Sequence, residues 1–225
     1  KQLTLSAAHE QLIQTVAKQC PRTVVVLVGG SAFICESWRR NVSAIMMMWY
    51  GGSHGGHALA QVLLGEHAPG GRLPCTWPAA EEHLPPFSRS AREFTYGPLH
   101  GYRLFHARHH KPAFWFGYGM HYAPIIWGKP ELRTNDSGMV VEVPLKNSAD
   151  FPQREVVQTY LGLALGTHAE PLPTLAGFAS IEIPPGEECL AQVQLDEQML
   201  SRAGESPQLH VGRNAGDMVP LSHHS

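Results

Sequence analysis

Three pairs of adjacent carboxylates, Glu81-Glu82, Glu187-Glu188 and Asp196-Glu197, are the first side chains in this sequence that could do acid/base chemistry. Two carboxyl groups share such work only when they converge on one bond. Sequence neighbours in loops or at strand ends point apart, so these doublets read as solvated charge. Fourteen histidines raise metal binding instead. His54 and His57 stand three apart at a helix start, and His106, His109 and His110 crowd one segment. No Cys partner and no HExxH pattern accompanies them, and exposed neutral imidazoles are the expectation. Cys20, Cys35, Cys75 and Cys189 lack CxxC spacing, and four are too few for a disulfide scaffold; Cys35 and Cys75 read as ordinary small residues. The glycine run at 51–56 could suit a phosphate, yet it has neither the Lys-Ser/Thr of a P-loop nor a GxGxxG order. No cofactor-binding or metal-binding residue is therefore expected within this chain, the doublets offer no catalytic pair, and its substrate-contacting residues stay unassigned.

The elements that hold these residues fall into two styles. Ser6 precedes an apolar pattern (Leu12, Ile13, Val16, Ala17) with Glu10 in its first turn, which predicts a capped helix ended by Pro21. Two apolar runs, 23–28 and 44–50, have no polar alternation and predict parallel strands buried on both faces. A short helix over 57–64 follows the glycine loop and stops at Gly65. This is α/β grammar. Beyond Thr134 the runs 139–143, 156–161, 179–183, 190–195 and 208–211 are short, several alternate, and turns such as Asn147-Ser148 and Pro184-Pro185-Gly186 part them. That spacing, with no helix of any length expected, predicts an all-β sandwich of immunoglobulin or fibronectin III type. The border is placed at Trp127, giving domains 1–127 and 128–225. The stretch 77–122 between the two styles, rich in Pro, His and aromatics, is expected to be irregular and interfacial.

The 225 residues suffice for one large or two small domains, and 43% apolar content gives a real core. Net charge is −2, so no basic field draws nucleic acid, and the longest apolar run, 44–50, is far below the ~20 residues of a membrane helix. Neither nucleic acid nor membrane is an expected partner. Only 16% of residues are charged, against a usual ~25%, which hints that part of the surface is covered by something else. The chain does not begin with Met, so any signal peptide is expected upstream of Lys1.

The order of the pieces resembles a known family. Leu3-Thr4-Leu5 leads into the first helix and the Thr23-Val24-Val25-Val26-Leu27 strand; Trp49-Tyr50-Gly51-Gly52 and Gly55-Gly56-His57-Ala58-Leu59-Ala60 follow. Then come Gly70-Gly71-Arg72-Leu73-Pro74, Gly101-Tyr102-Arg103, Phe116-Gly117-Tyr118-Gly119 and Val156-Val157-Gln158-Thr159-Tyr160. Together they resemble the C-terminal part of family 3 glycoside hydrolases, the β-glucosidases and β-xylosidases. The last stretch, with Leu175-Ala176-Gly177-Phe178 and Pro184-Pro185-Gly186-Glu187, is similar to their fibronectin type III-like domain.

The resemblance implies a partial, mainly parallel α/β sandwich followed by a β-sandwich. It implies a retaining exo-β-glycosidase, a β-glucosidase, acting on β-linked oligosaccharides or aryl and alkyl glycosides without metal or organic cofactor. In that family the nucleophilic Asp lies on an N-terminal (β/α)8 barrel and the acid/base Glu lies upstream of the LxL segment that begins this chain. Both are thus expected outside it. Whether that barrel is on the same chain, cleaved or separate stays open, and so does the compartment, with a secreted or periplasmic location favoured over a cytoplasmic one. The sequence departs from the family at Gly52-Ser53-His54, where Pro-Gly-Gln or Pro-Gly-Glu is common, and at His109-His110. A non-catalytic carbohydrate-binding or scaffold module remains the alternative, with Trp115 and Trp127 as sugar-stacking rings. On an extended backbone Phe114 and Phe116 share one face, which is expected to pack into the α/β domain. Trp115 is expected to face the barrel or the sandwich.

Overall fold

The computed structural model describes residues 3–88, 90–135, 138–204 and 207–221; Lys1 lies outside them. Helix α1 spans Ala7–Gln19, and the Ser6 side chain accepts from the His9 amide at 3.3 Å, as its N-cap position predicts. Strands β1 (Val24–Leu27) and β2 (Ala44–Met47) are parallel, in register from Val24 opposite Ala44 to Leu27 opposite Met47. Their inward residues Val25, Leu27, Ile45 and Met47 pack with Cys35, Trp38, Trp77 and Phe114. The expectation of burial on both faces fails here. Val24 is 42% exposed and Val28 62%, because among the described residues two strands form this sheet and only one face meets a core.

Helix α2 spans Gly55–Leu63, two residues earlier than the apolar pattern indicates. Gly55 is buried against Met48, where a Cβ would sit 2.6 Å from the Met48 methyl and that flexible side chain would have to shift. Gly65 ends the helix at φ +79°, as expected. The stretch 77–122 is more ordered than its composition suggests. Residues 73–77 run antiparallel to 113–118, with Leu73 donating to the Tyr118 carbonyl at 2.9 Å and Trp77 to that of Phe114 at 2.8 Å. Between them, helix α3 (Tyr102–Ala107) buries Tyr102, Leu104 and Phe105, where no helix was expected. Six residues offer too few turns for an apolar period to stand out.

The sandwich carries the predicted strands. One sheet has the order β10-β9-β6-β7; in the other, β3 and β4 pair with one edge of β5 and β8 with the opposite edge. The ranges are β3 Ile125–Trp127, β4 Glu131–Asn135, β5 Gly138–Asn147, β6 Gln153–Leu163, β7 Leu172–Ile183, β8 Glu188–Gln194, β9 Leu209–Asn214 and β10 Asp217–Leu221. Val141, Val143 and Leu145 alternate inward on β5 and meet Val157, Leu161, Ile183, Val193 and Val211, all closed to solvent. One detail corrects the sequence reading and a second adds to it. A helix, α4 (Glu197–Ala203), interrupts the strands and is capped by Asp196, whose Oδ1 accepts from the Met199 amide at 3.0 Å. And β3, placed before the border by sequence, pairs with β5 inside the sandwich.

Strand β6 does not alternate. From Val157 to Leu161 every residue is buried. One face meets the sandwich core and the other meets the α/β half, so the strand behaves like one in a covered sheet. Among the described residues, no helix is long and apolar enough to cross a membrane.

Candidate functional site

The strongest polar constellation lies where the two halves meet at β6, on the same face of that strand as Val157. Glu155 is fully buried there. Its Oε1 accepts from Arg72 Nη2 at 2.6 Å and from the Val156 amide at 2.8 Å, and its Oε2 accepts from Trp127 Nε1 at 3.0 Å. Arg72, on the chain after α2, is only 8% exposed and reaches across 83 positions of sequence to make this pair. His121 stands beside it, with Nε2 2.7 Å from Arg72 Nη2 and 3.0 Å from the Arg154 carbonyl. The Arg213 guanidinium covers the Trp127 ring at 4.9 Å. A carboxylate so fully engaged is an anchor; no lone pair is left aimed at solvent for acid/base work.

A second, aromatic block continues the junction. Tyr102 stacks on Phe116 at 5.2 Å and meets Tyr160 edge-on at 5.8 Å, while its hydroxyl accepts from the Leu175 amide at 2.9 Å. The Tyr160 hydroxyl donates to Gln158 Oε1 at 2.6 Å, and Gln158 Nε2 donates to the Arg213 carbonyl at 2.8 Å. Burial pushes both phenols above their ordinary range. Gly117, at φ +80°, lies where any Cβ would overlap the Gln158 amide, so its glycine permits the close approach.

The ring triplet separates differently from its expected alternation. Phe114 enters the α/β core, edge-on to Trp77 at 6.3 Å, as expected. Phe116 does not; it joins Tyr102, Tyr160 and Ala215. Gly117 turns the backbone sharply just after it, and the Ala215 amide donates to the Phe116 carbonyl at 2.9 Å, drawing this residue to the sandwich. Trp115 lies parallel to His106 at 4.6 Å and against Gly216, where a Cβ would overlap its indole. Of its two expected partners, it faces the sandwich. Both rings are partly buried, Trp115 against His106 and Gly216 and Trp127 beneath the Arg213 guanidinium.

The other sequence candidates scatter. Glu81 and Glu82 sit on an exposed helical turn, Glu188 pairs with Lys146 at 2.9 Å, and Asp196 is spent as a helix cap. His54 and His57 flank the start of α2, apart from His106, and among the described residues no group of three His, Cys, Asp or Glu can hold a metal. All four cysteines are free; burial pushes the Cys35 thiol up to about 11. Beyond β2 the glycine loop stays open, although Trp49 adopts φ +53°, an uncommon conformation for a bulky residue. Arg72, Glu155 and His121 were missed as a unit. Their one sequence signal is a single charge set beside apolar residues, in Gly71-Arg72-Leu73 and Glu155-Val156-Val157.

Residues 1–122 match the glycosyl hydrolase family 3 C-terminal domain, and residues 155–213 match the fibronectin type III-like domain. A beta-glucosidase of Rhizobium radiobacter is 34% identical over 196 residues, covering 82% of this chain and 24% of that protein. A beta-glucosidase of Kluyveromyces marxianus is 31% identical over 200 residues, covering 86% and 24%. The crystal structure of a beta-D-glucoside glucohydrolase from Trichoderma reesei superposes with a TM-score of 0.85 at 22% identity, covering 99% of this chain and 36% of that one. The chain thus spans about a quarter of the length of the curated relatives it matches.

Proposed function

Because the chain belongs to glycosyl hydrolase family 3, we propose that it forms the C-terminal part of a retaining exo-β-glucosidase and supports that enzyme's active site without supplying the reacting groups. Its substrate is a terminal non-reducing β-D-glucosyl residue, on a β-linked oligosaccharide or an aryl or alkyl glycoside. An upstream (β/α)8 barrel carries the nucleophile, and the acid/base carboxyl also lies upstream. Residues 1–127 are the end of the α/β-sandwich domain and 128–225 the fibronectin type III-like domain, with β3 reaching back across that limit to pair with β5.

The single observation that carries this reading is the use of Glu155. Among the described residues it is the one fully buried carboxylate, and its bond to Arg72 ties the two halves together while the Val156 amide and Trp127 hold it in place. A retaining dyad needs two carboxyl groups roughly 5 Å apart and open to a sugar. The exposed doublets are single-residue neighbours with separate partners or none, and Glu155 is closed off. The work left for this chain is positioning: a rigid junction fixes the loops at the carboxyl ends of β1 and β2 relative to the sandwich.

The test is hydrolysis of an aryl β-glucoside by the purified 225-residue chain and by the full-length polypeptide. The full polypeptide is expected to release sugar with retained configuration and the chain alone to be inactive. Turnover by the chain alone that vanishes when one of its own carboxylates is replaced would contradict the reading.

A further inference from the structure

Strands β1 and β2 are parallel, so the loops that follow them, 28–31 and 48–54, leave the sheet at the same end. That carboxyl end is where open α/β sheets hold their ligands. The Met48 amide donates to the Leu27 carbonyl at 2.9 Å as the last rung between the strands. Trp49, the next residue, is half-buried and holds φ +53°, a conformation that a bulky residue adopts only where its surroundings impose it. The residue presented by this turn is Tyr50. At 78% exposure it is the most exposed large apolar side chain among the described residues, and it belongs to none of their apolar clusters. Its ring is nevertheless held. It rests against Gly30 of the first loop, where an added Cβ would stand 3.0 Å from Cε2 and 3.3 Å from Oη. The ring thus lies across both loops with most of its surface open to water. The same loops carry Ser31, Ser53 and His54, all exposed and able to donate or accept hydrogen bonds.

We propose that Tyr50 is a substrate-binding ring that stacks on the leaving-group sugar of the glucoside, beyond the scissile bond. The proposal rests on the β-glucosidase reading, in which both reacting carboxyl groups lie upstream. The glucosyl unit under attack must be enclosed by the residues that bear those groups, so a ring on this chain is left to meet the sugar that departs. The chemistry of the two loops suits a pyranose. Its C–H faces cover an aromatic ring, and its hydroxyls find polar side chains beside it. A ring already fixed by a constrained backbone and a glycine bed also loses little freedom when a ligand stacks on it. Packing among the described residues gives no reason for an aromatic at this position, since a ring in water adds nothing to their core.

The test uses the full-length polypeptide and two substrates. Cellobiose has a glucose as its leaving group, whereas the leaving group of methyl β-glucoside is too small to reach a second sugar site. Tyr50→Ala is expected to lower kcat/KM for cellobiose, relative to that for methyl β-glucoside, roughly 3–10-fold, through a raised KM as one ring face loses its apolar partner. Tyr50→Phe keeps that face and is expected to restore the wild-type ratio. Tyr50→Leu, which keeps bulk without a flat ring, is expected to follow Tyr50→Ala and takes its place should the alanine variant not fold. An unchanged ratio overturns the proposal, whether both substrates suffer equally or neither does. A lowered Tm with that unchanged ratio would make Tyr50 a contact of the upstream residues instead. A wild type that hydrolyses neither glucoside overturns the β-glucosidase reading and this proposal with it. An active wild type with an unchanged ratio in the variants removes this proposal alone.

Discussion

The sandwich and the α/β half bury their apolar residues in opposite ways. On β5 and β6 the inward side chains Val141, Val143, Val157 and Leu161 are closed to water by strands of this same chain. On β1 and α1, Val24, Leu12 and Val16 are 42%, 60% and 42% exposed, although their pattern is that of buried elements. One region completes its own core. The other is a partial layer, consistent with a chain that spans about a quarter of its relatives' length. What steadies the partial layer within this chain is the junction with the sandwich, and the polar centre of that junction is Arg72 with Glu155.

The largest effect should come from breaking that pair. Glu155→Ala leaves the Arg72 guanidinium buried without its carboxylate, a loss of about 3–5 kcal/mol. Urea unfolding followed by both far-UV and near-UV signals is expected to split into two transitions, the α/β half melting first. Replacing both partners by Met should recover much of the loss, since no charge is then stranded. A single transition in Glu155→Ala, shifted little, would mean that the halves do not depend on this contact.

A smaller effect is expected inside the self-sufficient core. Leu161→Ala opens a cavity beneath β6 and should cost about 2–5 kcal/mol. Val24→Ser, on the open face of β1, should change stability by less than about 0.5 kcal/mol in this chain. The same two substitutions, measured together by chemical denaturation, sharpen the contrast. Equal losses at both positions would show that β1 is covered after all.

The β-sandwich was legible because its signal is local: alternation every second residue, with turn residues between the runs, identifies each strand by itself. The two parallel strands were legible as strands, but their burial was not. Apolar runs report the sheet they evolved to enter, and 23–28 and 44–50 read as fully covered whether or not the covering elements are present. Helices α3 and α4 escaped because six or seven residues carry barely two turns of period. The junction escaped for a different reason. Arg72 and Glu155 are 83 residues apart, and each alone is an ordinary charge. Only the fold makes them partners. Phe116 was misassigned because alternation along an extended backbone ended at Gly117, whose positive φ turns the chain away.

Native-state hydrogen exchange on the intact 225-residue chain compares the two regions most directly. It reads the opening free energy of β1 and β2 against that of β5 and β6 under one set of conditions. The account predicts that the amides of Val25 and Ile45 exchange through a partial opening well below the global unfolding free energy. The amides of Val141 and Val157 should exchange only through global unfolding, and Glu155→Gln should lower protection in β1 and β2 while leaving β5 protected. Equal protection of all four strands, lowered together by that substitution, would make the chain one cooperative unit and contradict the division between a self-sufficient sandwich and a dependent α/β half.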